Sequence, residues 1–79
     1  MNIIYSRRAK KSIEKLETFK KTKIREGINN LPNGDIKKLK KYKNLYRLRI
    51  SDLRVLFTMN EETIEIEDVL PRDIVYKVY

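Results

Sequence analysis

The sequence predicts an α+β fold in the order β-α-α-β-β-β, with a helical hairpin packed on one face of a small, mostly antiparallel sheet. Three observations predict it. Apolar residues between positions 9 and 31 recur at helical spacing. After the dense turn signal Pro32-Asn33-Gly34-Asp35 the spacing changes to period two. The segment Tyr46–Met59 then reads as two alternating runs joined by a tight turn, the pattern of a β-hairpin.

Asn2-Ile3-Ile4-Tyr5 is short and β-prone, and it ends at Ser6, a suitable N-cap for the helix that follows. Ala9, Ile13, Leu16 and then Phe19 or Lys20 mark one face of that helix, with Lys and Arg elsewhere. Thr18 or Thr22 begins a second helix whose apolar stripe is Ile24, Ile28 and Leu31. Gly27 weakens that helix by about 1 kcal/mol relative to Ala. Lys37–Lys40 reads as a short basic strand or extended segment, and Lys43-Asn44 as a turn. Tyr46–Ile50, Leu53–Met59 and Thr63–Glu67 alternate as strands, joined by Ser51-Asp52 and Asn60-Glu61-Glu62. The first of these turns lacks the Gly that tight hairpin turns prefer. Pro71 breaks the pattern, and Asp73–Lys77 reads as a last helical turn or a short strand.

With 79 residues, one domain over 1–79 is expected, with no repeat, linker or low-complexity segment. A domain of this size buries only about 60% of its unfolded surface, which leaves no room for a separate cofactor domain. The chain carries 19 Lys+Arg against 11 Asp+Glu, a net charge of +8. The excess is uneven: residues 1–49 carry +12 and residues 50–79 carry −4. So basic a first part reads as a footprint for a polyanion, or more plainly as a lysine-rich surface that keeps a small protein soluble. There is no Cys and no His, so disulfides, thiolate zinc sites, the usual general base and the commonest metal ligand are excluded. Glu65, Glu67 and Asp68 read as charge balance for nearby Arg or Lys rather than as a metal cluster. No metal, no cofactor and no membrane partner is expected. The opening apolar run is too short for a signal peptide and no stretch reaches membrane-spanning length, so a cytoplasmic protein is expected.

The segment YRLRISDLRVLF carries the most information. A turn at Ser51-Asp52 sets Ile50 opposite Leu53, Arg49 opposite Arg54, Leu48 opposite Val55 and Tyr46 opposite Phe57. Strand parity then sends Leu48, Val55, Tyr46 and Phe57 toward the helices and Arg47, Arg49 and Arg54 to the other face. Directly opposed like charges destabilise a sheet by a few tenths to about 1 kcal/mol. Such an Arg face is either the solvated side of the sheet or an anion site, and the planar guanidinium fork suits phosphate.

These residues also carry a family resemblance. Leu39-Lys40 together with Leu45-Tyr46-Arg47-Leu48-Arg49-Ile50-Ser51-Asp52-Leu53-Arg54-Val55-Leu56-Phe57 resembles the central signature of RelE/ParE toxins, roughly "kkLkg…glyRlRvGdyRviy". Leu70-Pro71-Arg72-Asp73-Ile74-Val75-Tyr76-Lys77 resembles the closing "gHRrdvY+", and Ile4–Lys11 resembles the opening of the family. The resemblance implies a toxin of a type II toxin–antitoxin system, held inactive by a cognate antitoxin, which is expected to be acidic and partly disordered. The RelE-like branch cleaves messenger RNA in the ribosomal A site; the ParE-like branch inhibits DNA gyrase.

Carried over residue by residue, the RelE-like pattern implies that Arg47 and Arg49 act around the nucleophilic 2′-hydroxyl. Arg54 stabilises the phosphate, Arg72 assists the leaving group, and Tyr76 stacks on or orients the substrate, with Tyr79 as a fallback. Lys37, Lys38, Lys40, Lys41 and Lys43 are expected to contact the RNA backbone, or simply to form a solvated edge that prevents strand pairing. The sequence departs from the pattern in three ways: Arg where some members have Lys, Leu70-Pro71 where relatives often have Gly-His, and Ser51 in place of the signature Gly. The resulting expectation is a ribosome-dependent, metal-independent endoribonuclease. The alternatives are a gyrase inhibitor or a nonenzymatic RNA-binding protein.

Overall fold

The computed structural model describes residues 2–79; Met1, within the 1–79 span expected of the domain, lies outside them. The elements are β1 (Asn2–Tyr5), α1 (Arg7–Glu14), α2 (Thr18–Asn29), β2 (Ile36–Lys38), β3 (Leu45–Ile50), β4 (Leu53–Met59), β5 (Thr63–Pro71) and α3 (Arg72–Val78). They form an α+β fold around one five-stranded sheet of order β1-β5-β4-β3-β2. The chain places β1 at one edge, crosses through α1 and α2 to the other edge, and returns as a four-strand meander. β1 therefore runs parallel to β5 while the other pairs are antiparallel.

The helical hairpin forms where the apolar periodicity predicts it. The Ser6 hydroxyl caps α1 by accepting from the Ala9 N–H at 3.0 Å, and it donates to the Glu67 carbonyl at 2.6 Å, tying the helix start to β5. Thr18, not Thr22, begins α2. Ala9, Ile13, Ile24 and Ile28 are buried against Leu48, Val55, Phe57, Ile64 and Ile66 of the sheet, and Leu16 packs on this core half-buried.

The β3–β4 hairpin closes in the expected register, with Leu48 opposite Val55 and Arg49 opposite Arg54. Its turn is strained as the missing Gly suggests: Ser51 has φ +56°, a conformation that favours glycine. Gly27 has a reason that helix propensity does not disclose. A Cβ at this position would run into Ile50, with Cγ1 at 3.2 Å and Cδ1 closer still, so the glycine lets α2 approach β3.

The C-terminal third differs from the alternating pattern. β5 extends to Pro71 rather than stopping at Glu67, because a bulge absorbs one residue: Leu56 pairs with Asp68 but Phe57 pairs with Ile66. The bulge changes the phase and returns Val69 to the core. Pro71 is tolerated because β1 covers only Thr63–Ile66, leaving this end of β5 as an edge. Residues 72–78 then form α3, which crosses to the face opposite the helical hairpin. Val75 of α3 and Leu56 of β4 are buried there, outside the main core. A short fifth strand, Ile36–Lys38, completes the far edge. Among the described residues, no helix is long and apolar enough to cross a membrane.

Candidate nucleic-acid interface

α3 lies across one corner of the Arg-bearing face and leaves a cleft of about 360 Å³ between itself and β2–β3. The cleft is lined by Lys37, Lys38, Leu39, Lys40, Arg47, Arg54, Arg72, Val75, Tyr76 and Tyr79. Six of these are cationic and, among the described residues that line it, none is acidic. Four of the five candidate catalytic residues (Arg47, Arg54, Arg72 and Tyr76) therefore converge, although they come from three separate elements. Lys37 stands directly opposite Arg47 in the β2–β3 pair, which concentrates the charge further. Val75 and Leu39 provide an apolar part of the wall, and low-dielectric walls strengthen the field of nearby charges.

The arginines sit in different environments. Arg54 is only 5% exposed, and its Nη1 donates to the carbonyls of Ser51 at 3.1 Å and Leu53 at 3.0 Å. Arg54 is thus not part of an openly solvated face: its guanidinium bends back to bind the strained turn. No buried side-chain nitrogen or oxygen lacks a partner among the described residues. The nitrogens of Arg54 that make no bond therefore keep access to the cleft.

Arg47 Nη1 donates to the Asp35 carbonyl at 3.0 Å and pairs with its carboxylate at 3.2 Å. The sequence marks Asp35 only as a turn residue. Its role becomes visible once β2 is seen to pair with β3, where the Arg49 N–H also donates to the Asp35 carbonyl. Arg72 is exposed at the start of α3, with its Cζ 6.0 Å from the Tyr76 ring centroid, within cation–π range. Tyr76 is 73% exposed, so most of its ring is free.

Arg49 is outside this cleft. It diverges from Arg54 into a separate open hollow beside Lys23, Glu26 and Asn30 of the α2 end, and the divergence relieves the like-charge opposition. Lys41 and Lys43 are exposed in the β2–β3 loop and do not line the cleft. Tyr79 does line it, and its ring packs on Tyr42 with centroids 5.7 Å apart. The acidic residues near β5 have separate duties. Asp68 is buried and accepts from the Ser12 hydroxyl at 2.7 Å and the Val69 N–H at 2.8 Å. Burial and the neighbouring Glu65 push the Glu67 carboxyl above its ordinary value, partly opposed by the Thr58 hydroxyl and Arg8. No group of three or more His, Cys, Asp or Glu able to hold a metal ion occurs among the described residues.

Comparison with known proteins finds the same small α+β scaffold in a family of toxins. The family model for the ParE toxin of type II toxin–antitoxin system, parDE, matches residues 3–76. The chain belongs to this family, within the RelE/ParE toxin superfamily. No curated protein matches it in sequence. Among solved structures, a chain of the RelB–RelE antitoxin–toxin complex from Methanococcus jannaschii is similar, at 26% identity with a TM-score of 0.79, covering 96% of this chain and 98% of that one. The archaeal RelE–RelB complex from Pyrococcus horikoshii contains a chain with a TM-score of 0.74 at 22% identity, covering 90% and 93%. The YoeB dimer from Staphylococcus aureus has a TM-score of 0.71 at 21% identity, covering 86% and 92%. The last two likenesses concern the fold alone.

Proposed function

We propose that this toxin is a metal-independent endoribonuclease that cleaves messenger RNA on the ribosome in the cytoplasm. The observation that carries the reading is the convergence of Arg47, Arg54, Arg72 and Tyr76 with Lys37, Lys38 and Lys40 in one cleft. In this reading the 2′-oxygen attacks the adjacent phosphorus and the 5′-oxygen leaves. The 2′-hydroxyl proton passes to solvent or to a ribosomal group, because the ionisable side chains of the cleft are Lys, Arg and Tyr. The RNA supplies its own nucleophile in place, so the protein's part is to orient the strand and neutralise charge. Arg54, fixed by the two carbonyls, offers its free nitrogens to the phosphate oxygens. Arg72 neutralises the leaving 5′-oxygen, which takes a proton from solvent to become the 5′-hydroxyl, and Tyr76 stacks on a base. Arg47 exchanges Asp35 for phosphate. The lysines hold the backbone in a salt-dependent way.

The cleft is also a ready target for an antitoxin. An acidic, partly disordered segment that orders across it would occlude Arg72 and Tyr76 together. A second reading, inhibition of gyrase by binding alone, is favoured by the family model that matches and by the partners Arg47 and Arg54 already have within the fold. Adding purified toxin to a translating extract tests the choice. Messages cut within codons, with 5′-hydroxyl and 2′,3′-cyclic phosphate (or 3′-phosphate) ends, are expected. Intact messages, with DNA breaks when the toxin is expressed in cells, would favour the second reading.

A further inference from the structure

The cleft does not end at Tyr79. That residue also lines a neighbouring hollow of about 310 Å³, walled by Arg8 of α1, Tyr42 and Asn44 of the β2–β3 loop, Thr58 of β4 and Glu67 of β5. We infer that this hollow is a nucleobase subsite for guanine in single-stranded RNA, continuous with the cleft through Tyr79. The inference rests on the reading of the cleft as an RNA site.

Three features point to a base. The Tyr42 and Tyr79 rings are tilted by 57° to each other, so they do not close over one another, and Tyr42 remains 38% exposed. Open aromatic faces beside a cationic groove are how single-stranded bases are held. Glu67 is the residue that the β5 bulge inserts, and bulges re-aim side chains beside binding sites. Its carboxylate is crowded by Glu65 and makes no ion pair within 4.0 Å among the described residues, a costly arrangement for which the fold itself has no use.

The chemistry of the walls selects the base. An ionised carboxylate only accepts hydrogen bonds. Guanine alone among the four bases presents two adjacent donors, N1–H and the N2 amino group, on its pairing edge, and one carboxylate receives both. The Asn44 amide or the Arg8 guanidinium can donate to guanine O6. The Thr58 hydroxyl beside Glu67 does not compete, because a carboxylate offers about four acceptor sites. Adenine places a donor beside an acceptor, which repels the carboxylate at N1.

Labelled 2′-O-methyl pentanucleotides, which cannot be cleaved, test the subsite by equilibrium binding to the intact toxin. UUGUU is expected to bind roughly tenfold tighter than UUAUU, the discrimination of one bidentate pair. Glu67→Gln replaces an acceptor pair by one acceptor and one donor, and it is expected to reverse the preference in favour of adenine. Tyr42→Ala is expected to weaken both by about tenfold through lost stacking. Melting of each variant separates these effects from misfolding, and Tyr42 is exposed enough for its removal to spare the core. Equal binding of all oligonucleotides, or an unchanged preference in both folded variants, would overturn the subsite and leave the cleft standing. Binding of none would overturn the subsite as well, and the nuclease reading would then stand or fall on the translating extract alone.

Discussion

Arg54 and Arg72 present the same charge to the cleft from opposite settings, and their alanine variants should part accordingly. Arg54 is buried and satisfies the Ser51 and Leu53 carbonyls of the strained turn. Arg54→Ala removes those bonds and leaves a space at a buried position, which should cost about 1–3 kcal/mol. Little relief of like-charge opposition offsets that loss, because Arg49 already turns away from Arg54. Arg72 is exposed, with its guanidinium beside the Tyr76 ring. Arg72→Ala should change stability by no more than about 0.5 kcal/mol, while losing roughly 10²–10³ in cleavage rate. Tyr76→Phe should be milder, because the stacking surface is kept. Thermal melting beside growth arrest on induction checks the pair. An Arg54→Ala protein that melts at or above the wild-type temperature would mean that the turn carbonyls gain nothing from the guanidinium.

At the scale of elements, the hairpin was readable because its signal is local. Alternation from Tyr46 to Phe57 and one turn determine both register and face, and tertiary contacts do not alter either. α1 and α2 were readable for the same reason, since Ser6 and the Ile24–Ile28 spacing act within one or two turns. α3 was not. Its seven residues are too few for a periodic signal, and its only buried side chain, Val75, owes its burial to packing on β4 and β5, distant in sequence. The length of β5 was hidden too, because the bulge breaks the alternation that marks a strand. The candidate arginines followed from strand parity and family likeness, yet the Arg47–Asp35 pair and the exit of Arg49 depend on where β2 docks. Gly27 offers a test of this level. Helix propensity says that Ala at this position stabilises α2 by about 1 kcal/mol. The contact with the stiff, β-branched Ile50 says that it overpacks the α2–β3 seam, at a cost of about 1–3 kcal/mol. A lower melting temperature for Gly27→Ala is expected; a clear rise would show that the seam has slack.

At the scale of the whole molecule, topology turns an uneven sequence into an organised charge distribution. The meander brings the basic β2–β3 region against the C-terminal helix, so Lys37 and Arg72, far apart in sequence, line one cleft. The helical hairpin buries the opposite face and supplies the core on which the cleft is held. A chain of 79 residues thus keeps one face for its core and gathers cationic side chains on the other. The central claim is that this cleft cuts RNA. Its most direct test is to induce the wild type and Arg72→Ala at matched abundance, map RNA 5′ ends and assay DNA breaks in the same cells. The account predicts new 5′ ends inside translated codons and arrested growth with the wild type, and neither with the variant. Arrested growth with intact messages, or full toxicity from a folded Arg72→Ala protein, would contradict it.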